Sequence, residues 1–229
     1  MSKIQTNQLQ HTATGAAVYT LPQTDGSAGQ VLKTDGSGNL SWTTITDTND
    51  YVKISKAVNT GDTNAQYLSF ENLDISTYKF FDLIGYFKPH DVDAAVLRFR
   101  YRTNNNTLGD GSVYSYAFNL KKYSNTSNCV TGEDTDKIDL TGSIGNAAYE
   151  GVYLNLRVSF ADSSDPTNAT ALLNSVTWQA TYREQGNDGR HATGEGHYYS
   201  AADNLTGFSI YPHAGNMGDY SYCLYGMKR

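Results

Sequence analysis

Three short segments of the sequence carry side chains that could bind a metal ion. His191, Glu195 and His197 are close in the chain, but metal-binding pairs need a spacing of two on a strand or three to four on a helix. The carboxylates of Asp91–Asp93 and Glu133–Asp136 could bind calcium through oxygen, although neither segment matches an EF-hand loop. Turn carboxylates and a solvated loop explain these segments more simply, so we predict no metal and no cofactor.

Nucleophilic catalysis has no recognisable motif in this chain. The sequence contains no GxSxG, no HExxH and no phosphate-binding loop. Two distant carboxylates could still meet and hydrolyse a glycosidic bond, so a polysaccharide-degrading enzyme stays open as an alternative. We expect a protein without enzymatic activity.

Arginine and tyrosine side chains could instead bind a sugar. Arg98, Arg100 and Arg102 share one face of a predicted strand and could bind an anionic glycan through charge-assisted hydrogen bonds. A solvent-exposed face, or a subunit interface where the arginines pair with acids, is the alternative. Tyrosines, which offer contact area at a low entropy cost, are concentrated in the last third of the chain, at Tyr198, Tyr199, Tyr211, Tyr220, Tyr222 and Tyr225.

We expect any binding surface to be built from loops, because the loops of a two-sheet domain gather at its ends. The longest turn-rich stretches are Asn104–Ser112, Ser124–Asp136, Asp162–Ala169 and Gln185–Gly196. The last of these leads into His197, Tyr198 and Tyr199, which combine imidazole and aromatic groups suited to sugar hydroxyls. These three residues are the candidate glycan-binding site, with a loop that binds nothing as the alternative.

Composition excludes several classes of protein. The chain has 229 residues and a net charge of -6, with 17% charged and 12% aromatic residues, including 18 tyrosines. Many aromatics and low charge argue against disorder, and an acidic chain does not favour nucleic-acid binding. No apolar run approaches the roughly 18 residues of a membrane span, and the first residues lack the apolar core of a secretory signal. Cys129 and Cys223 are therefore expected to be free thiols in a cytoplasm.

The elements that must position these groups are β-strands. Apolar and polar residues alternate with a period of two over most of the chain after residue 50, and no sustained helical period occurs. Eight to ten such strands predict an all-β fold, most simply a jelly-roll β-sandwich over residues 51–229. The predicted strands are Val52–Val58, Gln66–Leu73, Tyr78–Phe87, Ala95–Arg102, Val113–Lys121, Val152–Phe160, Asn174–Arg183, Leu205–Tyr211 and Tyr220–Met227.

One strand should form the centre of the core. Leu154, Leu156 and Val158 lie on one face of a predicted strand, and Tyr153, Asn155 and Arg157 lie on the other. We predict that the three apolar residues are buried and face Trp178 of another strand.

Residues 1–50 form a second unit with a different pattern. Thr-Asp-Gly-Ser occurs twice, at Thr24–Ser27 and Thr34–Ser37, and Asp-Gly is a strong signal for a tight turn. The runs between these turns are too short to bury a core of their own. Copies of the same segment around a symmetry axis would cover the apolar anchors, which are Tyr19, Leu21, Val31, Leu32, Leu40 and Trp42. A flexible linker is the alternative.

The segment from Tyr19 to Trp42, with its TDGS–GQVL–TDGSGNLSW pattern, resembles the N-terminal stem repeat of fibre and structural proteins of tailed bacteriophages, most closely those of marine and cyanobacterial phages. The glycine-rich turn and the Leu224–Lys228 terminus, LYGMK, are similar to the end of jelly-roll domains in such appendages. The resemblance implies a homotrimer with an extended N-terminal stem that anchors it to other virion proteins, and with the jelly roll pointing outward.

The sequence therefore predicts a trimeric tail-fibre or spike protein of a virion, assembled in the host cytoplasm, whose jelly-roll domain contacts the host surface through a glycan. A decoration protein that braces or ornaments the capsid is the main alternative. A capsule-degrading enzyme is a third, and the chain is short for the long β-helical trimers that such phage enzymes usually need. We expect no nucleic-acid partner and no insertion into a membrane.

Overall fold

The structure is a computed structural model of the whole chain. It describes residues 6–10, 15, 18–45, 49–103, 108, 109, 111–123, 126–161, 174–184, 188–199 and 204–228. The chain divides into two compact units, Met1–Asn49 and Asp50–Arg229. This division lies one residue from the boundary that the sequence predicts.

All regular structure in the described residues is β, which confirms the predicted class. The first unit contains strands β1 (Gln8–Gln10), β2 (Val18–Thr20), β3 (Gln30–Thr34) and β4 (Leu40–Thr44). The second unit contains strands β5 (Tyr51–Asn59), β6 (Leu68–Phe70), β7 (Tyr78–Pro89), β8 (Ala95–Thr103), β9 (Tyr114–Lys122), β10 (Ser127–Thr135), β11 (Ile138–Ile144), β12 (Gly151–Ser159), β13 (Asn174–Arg183), β14 (Gly189–Tyr198), β15 (Leu205–Pro212) and β16 (Met217–Lys228). The described residues contain no helix that is long and apolar enough to cross a membrane.

The first unit consists of two antiparallel hairpins, β1–β2 and β3–β4. Asp35 forms the turn of the second hairpin, where its carboxylate accepts hydrogen bonds from the backbone N–H of Ser37 at 2.8 Å and of Asn39 at 3.0 Å. A hydrogen bond from the Asn39 side chain, and then these two backbone bonds, lower the pKa of Asp35. The Thr-Asp-Gly-Ser pattern therefore forms a tight turn here, as its chemistry predicts.

The second unit consists of two antiparallel sheets around one core. The large sheet has eight strands in the order β10-β9-β14-β13-β12-β7-β16-β5, and the small sheet has four in the order β11-β8-β15-β6. The chain alternates between the sheets from β5 to β8. The next two strands, β9 and β10, form a hairpin in the large sheet, and β11 lies in the small sheet. Strands β12, β13 and β14 all lie in the large sheet, β15 lies in the small sheet, and β16 lies in the large sheet.

The core lies between the inner faces of the two sheets. Leu154, Leu156 and Val158 of β12 are buried, and Leu156 lies directly opposite Trp178 of β13, which confirms the predicted burial. The indole N–H of Trp178 donates a hydrogen bond of 2.8 Å to the carbonyl of Leu140 in β11. This bond joins the large sheet to the small sheet and satisfies the one polar atom of a buried ring.

The prediction of a loop is wrong for part of two stretches of the chain. Residues 127–135 of the stretch Ser124–Asp136 form β10, and residues 189–196 of Gln185–Gly196 belong to β14. The predicted strand at Gln66–Leu73 is shorter, since β6 covers Leu68–Phe70, and the sequence did not predict β11. Asp162–Ala169 lies outside the described residues, as do parts of the other predicted loops.

Candidate binding face of the large sheet

The outer face of the large sheet, which points away from the core, carries a continuous set of polar and aromatic side chains. It exists because each strand alternates: in β12, Val152, Leu154 and Leu156 point inward, while Tyr153 and Asn155 point outward. Two shallow depressions with volumes of 770 and 660 Å³ lie on this face and share Ile84, Asn155 and Gln179.

An ion pair fixes one side of this face. The guanidinium of Arg157 in β12 donates two hydrogen bonds to the buried carboxylate of Asp82 in β7, of 2.7 and 2.8 Å. Asp82 lies directly opposite Arg157 in the sheet register, and the guanidinium also covers the ring of Phe80, 3.9 Å from its centroid. A bidentate pair with this geometry is rigid and has no net charge.

Tyr51 completes the same cluster. Its hydroxyl donates a hydrogen bond of 3.0 Å to Asp82, and its ring stacks on Tyr225 with centroids 4.9 Å apart. Burial, and then the hydrogen bond to the carboxylate, raise the pKa of Tyr51 to about 12. The same carboxylate raises the pKa of Arg157. Tyr51 therefore keeps its proton throughout the physiological pH range.

A row of amide and hydroxyl groups crosses the middle of the face. The sheet register places Asn155, Gln179, Thr193 and Asn119 side by side on β12, β13, β14 and β9. Neighbouring members of the row lie on adjacent strands, which are about 4.8 Å apart. The row offers hydrogen-bond donors and acceptors with no formal charge.

A tyrosine platform lies on the other side of the amide row. Tyr86 and Tyr153 are paired in the register, with ring centroids 5.2 Å apart, and Tyr153 is 69% exposed. The Tyr86 hydroxyl donates a hydrogen bond of 2.8 Å to the carbonyl of Glu150. A Cβ at Gly151 would come within 2.7 Å of the Tyr86 ring, and the backbone φ there is 143°, so glycine allows this ring to lie close to the chain.

The platform continues through two further tyrosines and a histidine. Tyr123 is 71% exposed and lies over Gly189, where a Cβ would overlap its ring, and Tyr149 is 84% exposed. His191 lies in the same cross-strand row as Tyr153, beyond Thr181, and its ring is 3.2 Å from the Thr181 hydroxyl and 2.9 Å from the Thr193 hydroxyl of the amide row. These contacts hold the imidazole in one orientation.

The structure separates the three residues of the predicted glycan site. Tyr198 is only 1% exposed and packs edge-on against Tyr114 in the core, with centroids 4.8 Å apart, so its prediction as a solvent-facing ligand group is wrong. It continues the buried face of β14, a strand where a loop was predicted. His197 points to the other face of the sheet from Tyr198, and it is paired with Ser175 of β13.

Tyr199, directly after β14, is half-exposed and held in place. Its hydroxyl hydrogen-bonds to the carbonyl of Ser112 and to the carboxylate of Asp134, and this carboxylate raises its pKa. Of the three predicted residues, only His197 and Tyr199 remain partly accessible, and they lie outside the two depressions.

The three arginines of β8 pair with acids of the same chain. Arg98 contacts Asp139 at 2.9 Å, Arg102 contacts Glu71 at 2.9 Å, and Arg100 contacts Asp136. The three arginines therefore pair with acids of their own chain. No arginine of this strand offers an isolated positive charge to an anionic glycan.

The structure keeps apart the two histidines that were considered as metal ligands. His191 and His197 lie six residues apart on one extended strand, which separates them by about 20 Å. Within the described part of the chain, one group of potential ligands is close, Asp62, His90 and Asp91, with atoms within 4.8 Å of one another. The His90 ring is already 2.7 Å from Asp91, and this contact raises its pKa. Cys129 and Cys223 are free thiols.

The predicted trimerisation residues lie in the two N-terminal hairpins. Leu32 is paired with Trp42, and Leu40 lies on the same face of the β3–β4 hairpin, while Val31 lies on the other face. Tyr19, Val31, Leu32 and Trp42 are exposed, and Leu21 and Leu40 are partly covered. The indole N–H of Trp42 also donates a hydrogen bond of 2.8 Å to the Thr24 carbonyl within the unit.

Comparison with known proteins identifies no relative. No protein-family model, no curated protein and no solved structure matches the chain.

The residues of the binding face could be found only in part from the sequence. Alternation in β12 places Tyr153, Asn155 and Arg157 on the outward face, and this signal was available. Their cross-strand neighbours Asp82 and Gln179 could not be assigned, because strand order and register are not encoded in any local pattern.

Proposed function

We propose that this protein is a non-enzymatic structural protein of a tailed-phage virion, a fibre- or spike-type appendage. It assembles as a homotrimer through residues 1–49, which also attach it to other virion proteins. Residues 50–229 form a head that contacts the host cell surface, and a surface glycan is the ligand of that contact.

The observation that carries this proposal is the lack of a core in the N-terminal unit. None of its described residues is buried, although it is folded into two hairpins and exposes Leu9, Val18, Tyr19, Val31, Leu32, Trp42 and Ile45. A two-stranded hairpin is marginally stable alone, and exposed apolar side chains in such number are typical of an interface. Two further copies of the same hairpins around a three-fold axis would supply the missing cover.

The strand order of the second unit supports a jelly-roll head. Strands β5, β16, β7 and β12 are neighbours in the large sheet, and β6, β15, β8 and β11 are neighbours in the small sheet. We infer that these eight strands are the two Greek keys of a jelly roll. The β9–β10 and β13–β14 hairpins are then insertions that double the width of one sheet and enlarge its outer face.

A trimer gives weak surface contacts a functional affinity. Three heads on one axis bind a repetitive surface at once, so the second and third contacts form at a high effective concentration. The phage-like stem pattern from Tyr19 to Trp42 supports the same arrangement.

Light scattering and cell adsorption together test this function. The full chain should have three times the mass of its monomer, a chain lacking residues 1–46 should be monomeric, and purified trimers should adsorb to susceptible bacteria. A monomeric full chain would contradict the role of the N-terminal unit. Trimers that adsorb to no cell would favour the alternative role of a capsid decoration protein.

A further inference from the structure

We propose that the outer face of the large sheet is a binding site for an uncharged glycan chain. The site is the depression formed by Tyr86, Tyr153, Asn155, Gln179, Thr181 and His191, named here the Tyr–amide face. This inference rests on the proposed host-contact function and moves the contact from the loops to a sheet.

The aromatic part of the Tyr–amide face is prepared for stacking. Tyr86 is fixed by its hydrogen bond to Glu150 and by its close approach to Gly151, and Tyr153 lies beside it with most of its surface exposed. Sugar rings present C–H groups to such faces, and tyrosine supplies contact area with few rotatable bonds. Because Tyr86 is already held, little side-chain entropy remains to be lost when a ligand binds.

The polar part matches the hydroxyl groups of a sugar. Each sugar hydroxyl both donates and accepts a hydrogen bond, and the side-chain amides of Asn155 and Gln179 also do both. These two amides lie side by side in the register, next to the tyrosine platform, and are exposed. Thr181 and His191, which contact each other, extend the same polar strip across β13 and β14.

The charges of the face select an uncharged ligand. None of the residues that line the Tyr–amide face is Asp, Glu, Lys or Arg. Fixed charges lie only around this depression: the Asp82–Arg157 pair, which is neutral as a unit, Lys121 beside His191, and Asp219, which pairs with Lys88 and is near enough to Tyr86 to raise its pKa after burial. The neighbouring depression also carries Glu195, and the whole chain has a net charge of -6. An anionic polysaccharide would therefore find no electrostatic attraction on this face.

The width of the sheet favours a chain over a single sugar. The amide row crosses four strands from Asn155 to Asn119, and the Tyr51–Asp82–Arg157 cluster borders it on the β7 side. The spacing between strands makes the row from Asn155 to Asn119 about 15 Å long. This length exceeds that of one sugar ring. Two of the five guanidinium N–H groups of Arg157 are used on Asp82, so the others can donate to a ligand hydroxyl.

An array of immobilised bacterial polysaccharides, both uncharged and acidic, tests this site with the purified full chain. The wild type should bind at least one uncharged polysaccharide. Tyr153→Ala should weaken that binding about tenfold and Gln179→Ala several-fold, as expected for one stacking contact and one hydrogen bond. Both side chains are exposed, so both variants should keep the wild-type circular dichroism and melting temperature.

Tyr67→Ala is the matched control, because Tyr67 is an exposed tyrosine that contacts Tyr211 and lies away from the large sheet. It should bind like the wild type. Binding only to acidic polysaccharides, no binding to any polysaccharide, or unchanged binding by Tyr153→Ala would each overturn the proposal.

Adsorption to susceptible cells separates failure of this site from failure of the proposed function. If the wild type and Tyr153→Ala adsorb equally, host contact stands and the Tyr–amide face is not its site. If the wild type does not adsorb, the host-contact function fails, whatever the array shows. If Tyr153→Ala instead turns an oligomer into a monomer, the face is an interface between copies, and the glycan proposal is wrong.

Discussion

Single residues of the second unit have roles that follow from which face of a strand they occupy. Leu156 and Arg157 are neighbours in sequence, yet one is buried against Trp178 and the other pairs with Asp82 on the outer face. A change at either position therefore tests a different property, the packing of the core or the electrostatics of the face.

Leu156→Ala should destabilise the protein by about 2–5 kcal/mol, because it removes buried methyl groups and leaves a cavity beside Trp178. Urea unfolding monitored by circular dichroism measures this loss. Asn155→Ala, on the outer face of the same strand, should change the free energy of unfolding by less than about 0.5 kcal/mol. Equal effects of the two substitutions would contradict the assignment of the faces.

Buried tyrosines make stability fall in alkaline solution. Burial raises the pKa of Tyr211 to about 12, whereas tyrosine in an unfolded chain ionises near pH 10. The unfolded state thus loses this proton first, so the stability contributed by Tyr211 is complete below pH 10 and is lost as the pH rises toward 12. Tyr182 behaves in the same way, with its pKa raised to about 12 mainly by burial.

Tyr211→Phe should therefore flatten the fall of the unfolding free energy between about pH 10 and 12, since one of the groups responsible is gone. Urea titrations at several pH values measure this slope. A slope that Tyr211→Phe does not alter would show that other groups cause the alkaline loss.

Strand β14 illustrates how an element can look like a loop and still be a central strand. It contains Gly189, Gly194 and Gly196, which are turn signals in isolation, but it lies between β13 and β9 in the large sheet. The glycines are explained by what packs beneath them. A Cβ at Gly194 would lie 2.5 Å from the Trp178 ring, and one at Gly196 would lie 2.6 Å from Ile138.

Gly194→Ala should destabilise the protein by about 1–3 kcal/mol, because the new methyl group must displace Trp178 or Phe118 in a packed core. The melting temperature and the near-ultraviolet spectrum of Trp178 report this displacement. Thr193→Ala, one position away on the outer face, is the control and should be nearly neutral. A stable Gly194→Ala protein with an unchanged spectrum would contradict the packing of this strand.

At the scale of the whole molecule, the two units have different sources of stability. Residues 50–229 enclose a core of their own, whereas the described part of residues 1–49 buries no side chain. If the N-terminal unit folds by association, as we propose, its stability depends on protein concentration and that of the head does not.

Scanning calorimetry of the full chain should then resolve two transitions. The one from residues 1–49 should rise in temperature with protein concentration, and Leu32→Asp should lower it by placing a charge in the contact region. The transition of residues 50–229 should respond to neither change. A single transition that Leu32→Asp shifts as a whole would contradict the independence of the two units.

The sequence alone determined the class of structure, most strand positions and the inward or outward direction of most side chains. All three follow from the period of two, a local property that the backbone of a strand imposes, as in Leu154, Leu156 and Val158. The tertiary structure alone decided which strands are neighbours. It placed Asp82 opposite Arg157 and Gln179 beside Asn155, and it turned Tyr198 into a core residue by making β14 a strand. These outcomes depend on packing and register between segments distant in the chain, so local patterns do not encode them.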